Sequence, residues 1–101
     1  MSMKRAAKVD INQKEIVAYL RKIGASVAVM SAVGQGFPDL VVGWRGRNYM
    51  IEVKQAKGKL TEDQYEFAAH WRGQYGVARS IDDACNIIGA DLPRLNVLKE
   101  D

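Results

Sequence analysis

The chain has 101 residues, 48% of them apolar and 27% charged, with a formal net charge of +3. That length holds one compact domain and excludes two, and the composition excludes a disordered tail. One cysteine (Cys85) and one histidine (His70) exclude a disulfide framework and a zinc finger, so a hydrophobic core must hold the fold.

No apolar run approaches the roughly 20 residues of a membrane helix, and the basic N-terminus lacks the apolar stretch of a secretory leader. A cytoplasmic chain with no membrane partner is therefore expected. The small positive excess favours an anionic partner without deciding for one.

In chain order, residues 1–10, with Lys4, Arg5 and Lys8, read as a mobile basic arm. From Asn12 the recurrence of Ile16, Tyr19, Leu20 and Ile23 predicts a helix, which Gly24 stops. Val27 and Val29 alternate within a short strand at 26–30, and Gly34 and Gly36 open the following loop. Residues 39–44 read as a strand, 45–48 as a turn and 49–54 as the strand returning antiparallel. A basic loop at 55–59 leads to Thr61, which with Gln64 makes a capping box for a second helix stopping near Gly76. Residues 77–79 predict a fourth strand, and Ser80 caps a last helix over 81–88 that ends at Gly89. Leu92, Leu95, Val97 and Leu98 in the tail at 91–101 are expected to pack on the core or on another subunit. The order helix, three strands, helix, strand, helix predicts a single α/β domain with a helix-covered sheet.

The chemistry-bearing stretch is Pro38-Asp39, followed by Glu52-Val53-Lys54. Glu52 and Lys54 are two apart on a predicted strand and share one face, while Ile51 and Val53 take the other. Antiparallel pairing through the turn brings Asp39 and Glu52 to the same end of the hairpin. Two acids and one lysine then converge. Hard oxygen donors suit Mg²⁺ or Mn²⁺, which retain waters, polarise a phosphate and make water a better nucleophile. A neighbouring lysine is expected to orient that water, assist its deprotonation or stabilise the charged phosphorane.

These residues resemble the PD-(D/E)XK nucleases. More narrowly, Gly34-Gln35-Gly36-Phe37-Pro38-Asp39-Leu40, Ile51-Glu52-Val53-Lys54 and Leu60-Thr61-Glu62-Asp63-Gln64 are similar to the VRR-NUC (virus-type replication-repair nuclease) family. The resemblance spans roughly residues 12–88 and implies a restriction-endonuclease-like αβββαβ core, a mixed sheet flanked by helices, here with an added C-terminal helix. It implies that Asp39 and Glu52 bind the metal with the Val53 carbonyl, that Lys54 is catalytic, that Glu15 assists at the metal and that Gln64 faces the site, with Gln35 nearby. It further implies cleavage of branched DNA such as four-way junctions by a homodimer, in the cytoplasm of a bacterial host if the source is a phage.

Other readings stand beside these. Glu15 also fits a capping box with Asn12, and Gln64 one with Thr61. Arg45, Arg47, Lys57 and Lys59, on two loops flanking the site, are expected to meet phosphate, against the alternative of plain solvation. Trp44 and Trp71 read as packing residues, Cys85 as a buried apolar residue and His70 as structural or exposed. The competing functions are a catalytically silent nucleic-acid-binding module and a nuclease of the same chemistry acting on other DNA or on RNA.

Overall fold

The computed structural model describes residues 2–93, with side chains from residue 11 onward. Three helices, α1 (Ser2–Lys22), α2 (Glu62–His70) and α3 (Ile81–Ile88), accompany four strands, β1 (Ser26–Val29), β2 (Leu40–Trp44), β3 (Arg47–Val53) and β4 (Tyr75–Ala78). The strands form one sheet in the order β1-β2-β3-β4, the first three antiparallel and β4 parallel to β3. The expected α/β class, the mixed sheet and the order of elements are all present. No helix among the described residues is long and apolar enough to cross a membrane.

Alternation along the strands sorts the side chains. Leu40, Val42, Ile51, Val53 and Ala78 point to one face and are buried there against Ile16, Val17 and Leu20 of α1 and Ala84, Cys85 and Ile88 of α3. Burying such side chains contributes roughly 1.5–3 kcal/mol for each large one, so this layer carries most of the stability. Cys85 is buried as expected, and burial pushes its thiol pKa up. Trp44 packs at the edge of the same core, with the Arg45 guanidinium 5.1 Å from its ring centroid.

Four boundaries differ by two residues or more from the sequence reading. The segment read as an arm has helical backbone from Ser2, continuous with α1, because Ala, Lys and Arg are strong helix formers and neither glycine nor proline interrupts them. The hairpin turn is only Arg45-Gly46, since Arg47 already pairs with Trp44. Both turn residues have positive φ, 51° and 83°, which twists a two-residue loop to match the strands. α2 ends at His70, where the extended backbone of Trp71 stops it, and β4 starts at Tyr75. α3, between Ser80 and left-handed Gly89, has the predicted bounds. Of the tail, Leu92 is exposed, and residues 94–101 lie outside the described residues.

α2 lies on the other face of the sheet and has no buried residue. Phe67 holds it, with ring centroids 5.4 Å from Phe37, 5.1 Å from Trp71 and 6.1 Å from Tyr75. The loop before β2 presses on the helix start: at Gly36, with φ of 84°, a Cβ would collide with the Asp63 carbonyl. Phe67→Ala should therefore cost about 2 kcal/mol in urea unfolding while leaving the α1–sheet–α3 layer folded. A loss under about 0.5 kcal/mol would show that the aromatic cluster does not secure α2.

Candidate active site

The hairpin determines the site. Leu40 pairs with Ile51, so the next step along the ladder sets Asp39 opposite Glu52 at the end away from the turn. Asp39, Glu52, Val53, Lys54 and Gln64 line one cleft of about 420 Å³, bordered by Lys57 and Gly58 of the following loop. The Glu52 side chain is only 3% exposed, and Lys54 Nζ stands 3.8 Å from its Oε2.

Asp39 is held at both oxygens. Its Oδ2 accepts from the Val53 amide at 3.0 Å, and Ser31 Oγ lies 3.2 Å from Oδ1. Ser31 Oγ also donates towards Oε1 of buried Gln13, 3.3 Å away. The hydroxyl has one proton and faces two acceptors, Asp39 Oδ1 and Gln13 Oε1, which share it. The strand fixes one carboxylate oxygen, and α1 fixes the other through Ser31.

Glu52 is electrostatically unsettled. Burial, then the Asp39 charge, then a hydrogen bond shared with the Asp39 side chain raise its pKa from 4.5 to about 8; Lys54 and the Asp39 backbone pull it down without offsetting this. The Tyr75 phenol is pushed up to about 12 by burial and by the charges of Glu52 and Asp39. Like charges held together with little water form a place where a proton or a cation is stabilised.

The chemistry of the donor set decides which cation fits. No group of three or more His, Cys, Asp or Glu side chains suited to a metal occurs among the described residues. Two carboxylates with no Cys or His beside them do not suit the Cys- and His-rich closed sites of zinc. They do suit Mg²⁺ or Mn²⁺, held by one or two carboxylates with several waters retained.

The remaining candidates divide. Gln64 fills both of its readings: it closes the capping box with Thr61, accepting from the Thr61 amide at 2.9 Å, and it lines the cleft. Glu15 is exposed in a neighbouring cleft with Ile11 and Arg79, and it does not line the cleft of Asp39 and Glu52. Its capping alternative fails, because α1 starts at Ser2 and Asn12 sits inside the helix. Gln35 is exposed on the loop before Gly36, outside the cleft lining. Arg45 and Arg47 belong to the far end of the hairpin, about 17 Å away at about 3.4 Å per residue, so the expectation that they flank the site is corrected. Lys57 lines the cleft and Lys59 is exposed on the same loop. His70 is exposed and bonds the Glu66 carbonyl, and Trp71 is 42% exposed against Phe67.

The chain matches no family model, no curated protein and no solved structure among those with which it was compared. Its site is therefore read from its own residues.

The sequence reading missed Gln13, Ser31, Asn12 and Tyr75. Gln13 and Asn12 fall between the apolar positions of α1 and look like solvated polar residues. Ser31 looks like loop filler, and Tyr75 comes next to the inner edge of the site only through parallel pairing with β3.

The raised value of Glu52 sets a stability profile. Its folded-state pKa lies above the unfolded value, so folding favours the protonated carboxyl; that stabilisation is complete below 4.5 and lost as pH rises towards about 8. Thermal melts of the metal-free protein should fall in midpoint between about pH 5 and about pH 8, and Glu52→Gln should flatten the fall. An unchanged slope in Glu52→Gln would assign the titration to another group.

Proposed function

We propose that this chain is a metal-dependent nuclease of the PD-(D/E)XK type, similar to the VRR-NUC family, that hydrolyses phosphodiester bonds in branched DNA. The observation that carries the reading is the convergence of Asp39, Glu52 and Lys54 in one cleft from a single hairpin. Asp39, Glu52 and the Val53 carbonyl would hold Mg²⁺ or Mn²⁺, which when bound supplies positive charge against the phosphate and eases attack by water at neutral pH.

The chain's own residues supply the rest. Asp39 presents a carboxylate whose direction is set by Ser31 and the Val53 amide, so little reorganisation is needed when a ligand arrives. Glu52, once its proton has left, adds a second negative charge at a buried position. Lys54 puts an ammonium beside Glu52, within reach of a phosphate oxygen or an attacking water, where it orients the water and stabilises negative charge on phosphorus. Lys57 borders the same cleft and meets the substrate backbone, with exposed Lys59 beside it. Action as a homodimer would place two such sites on two strands of a junction. DNA as substrate and an unpaired, buried Cys85 both fit a reducing cytoplasm.

The test is cleavage of end-labelled four-way junction, flap, duplex and single-stranded DNA with Mg²⁺ or Mn²⁺, beside EDTA and Lys54→Ala controls. Paired cuts in the junction are expected, with the rate falling by about 100-fold or more in Lys54→Ala while junction binding persists. Intact substrates with junction DNA still bound would replace this reading with a catalytically silent binding module. Cleavage of RNA or plain duplex in preference would keep the chemistry and change the substrate. A mass measurement in solution showing a monomer would remove the paired-site part of the proposal.

A further inference from the structure

Lys54 is the first residue beyond β3, where the chain leaves the sheet for the loop bordering the cleft. Its backbone is held from two directions: its amide donates to the Ala78 carbonyl at 3.0 Å, and its carbonyl accepts from Asn12 Nδ2 of α1 at 2.9 Å. Beyond it, Arg79 Nη1 donates to the Gln55 carbonyl at 2.8 Å and to the Gly58 carbonyl at 2.6 Å. Those two carbonyls span the loop turn, which the Gly58 amide closes onto Gln55 at 2.9 Å.

Arg79 is itself fixed, since its amide donates to Asp83 Oδ2 at 2.8 Å at the start of α3 and its carbonyl accepts from Asn12 Nδ2 at 3.5 Å. The contacts form a circuit joining α1, the end of β3, the loop and the β4–α3 junction. An exposed arginine beside a cleft that suits phosphate invites assignment as a DNA contact. Its Nη1 donors are spent on the protein's own backbone.

We propose, on the nuclease reading above, that Arg79 and Asn12 are positioning residues: they clamp the segment running from Lys54 to Gly58 and thereby hold the Lys54 ammonium and Lys57 over the cleft. Asn12 lines the cleft but commits its side-chain amide to the Lys54 carbonyl, and Arg79 lies outside the lining. Asn12 sets the position of the Lys54 backbone and Arg79 closes the loop that follows. A catalytic group displaced by about 1 Å loses on the order of 100-fold in rate, so the clamp is read in turnover and not in binding.

Three variants of the full chain test this: Arg79→Ala, Arg79→Lys and Asn12→Ala, each first checked for folding by circular dichroism. The loop contains Lys57 and Lys59, which makes it a trypsin site. Native-state nicking there should rise about tenfold or more in Arg79→Ala, because two carbonyl hydrogen bonds close the loop. Junction cleavage should lose about tenfold or more in kcat in Arg79→Ala and Asn12→Ala, with KM held within about twofold. Arg79→Lys keeps the charge, but its ammonium ends one bond short of the position of Nη1, from which both bonds are made, so it should fall with Arg79→Ala. The salt dependence of junction binding, measured with Ca²⁺ in place of Mg²⁺, should keep its slope in all three.

If Arg79→Lys instead restores wild-type turnover while Arg79→Ala lowers the salt slope by about one, Arg79 contacts phosphate and the clamp is overturned. Wild-type kcat in Arg79→Ala with unaltered nicking overturns it as well. A wild-type protein that cuts no substrate, though Arg79→Ala still opens the loop to trypsin, overturns the nuclease reading and the catalytic part of the clamp with it.

Discussion

Glu52 is enclosed beside a second carboxylate, and the groups around it do not neutralise the pair. A buried charge without a matching partner costs several kcal/mol, and a protein tolerates such a site only where the surrounding structure holds it in place. Here β2 and β3 do the holding. Their register forces Asp39 and Glu52 onto facing positions, and the apolar residues between them, Leu40, Ile51 and Val53, are locked into the core so that neither strand can slip. A slip of one residue would turn the carboxylates into the core and the core into solvent. The same hydrophobic pattern that stabilises the sheet therefore sets the geometry of the acids, and α1 serves both ends: Ile16, Val17 and Leu20 pack on the core while Asn12 and Gln13 reach the site.

The two faces of the sheet are unequal in strength. α1 and α3 bury apolar side chains against one face, whereas α2 on the other face buries none and relies on the ring contacts of Phe67. The cleft lies on this weaker side, and Gln64, at the first turn of α2, joins a wall of it to a helix cap. An element with few apolar contacts opens more easily than the core does. The cleft side of the sheet therefore opens more easily than the packed face.

How much was legible in the sequence follows from the range of each interaction. Asp39, Glu52 and Lys54 were readable because strand alternation and a tight turn are local rules, and α3 was readable because Ser80 and Gly89 mark its ends chemically. Gln64 carried its cap in a four-residue motif. The misplaced residues have physical reasons. Arg45 and Arg47 belong to the turn, which a hairpin necessarily puts at the end opposite its termini. Glu15 is on α1 but lines the neighbouring cleft, and helical spacing alone does not fix how α1 is rotated about its axis against the sheet. Asn12, Ser31, Gln13 and Arg79 act through side-chain bonds to residues far along the chain and leave no periodic trace.

Those separations also impose an order of assembly. The acid pair sits on a hairpin closed by two residues, so it belongs to the part of the fold that forms quickly and locally. The contacts that anchor Lys54 and its loop bridge 42, 24 and 21 positions, and the two made by Arg79 exist only once β4 has crossed over to lie parallel to β3. Parallel crossovers are late events because loop closure must precede their reward. The acid pair thus depends on the shortest-range contacts of the fold, and the anchoring of its lysine on the longest.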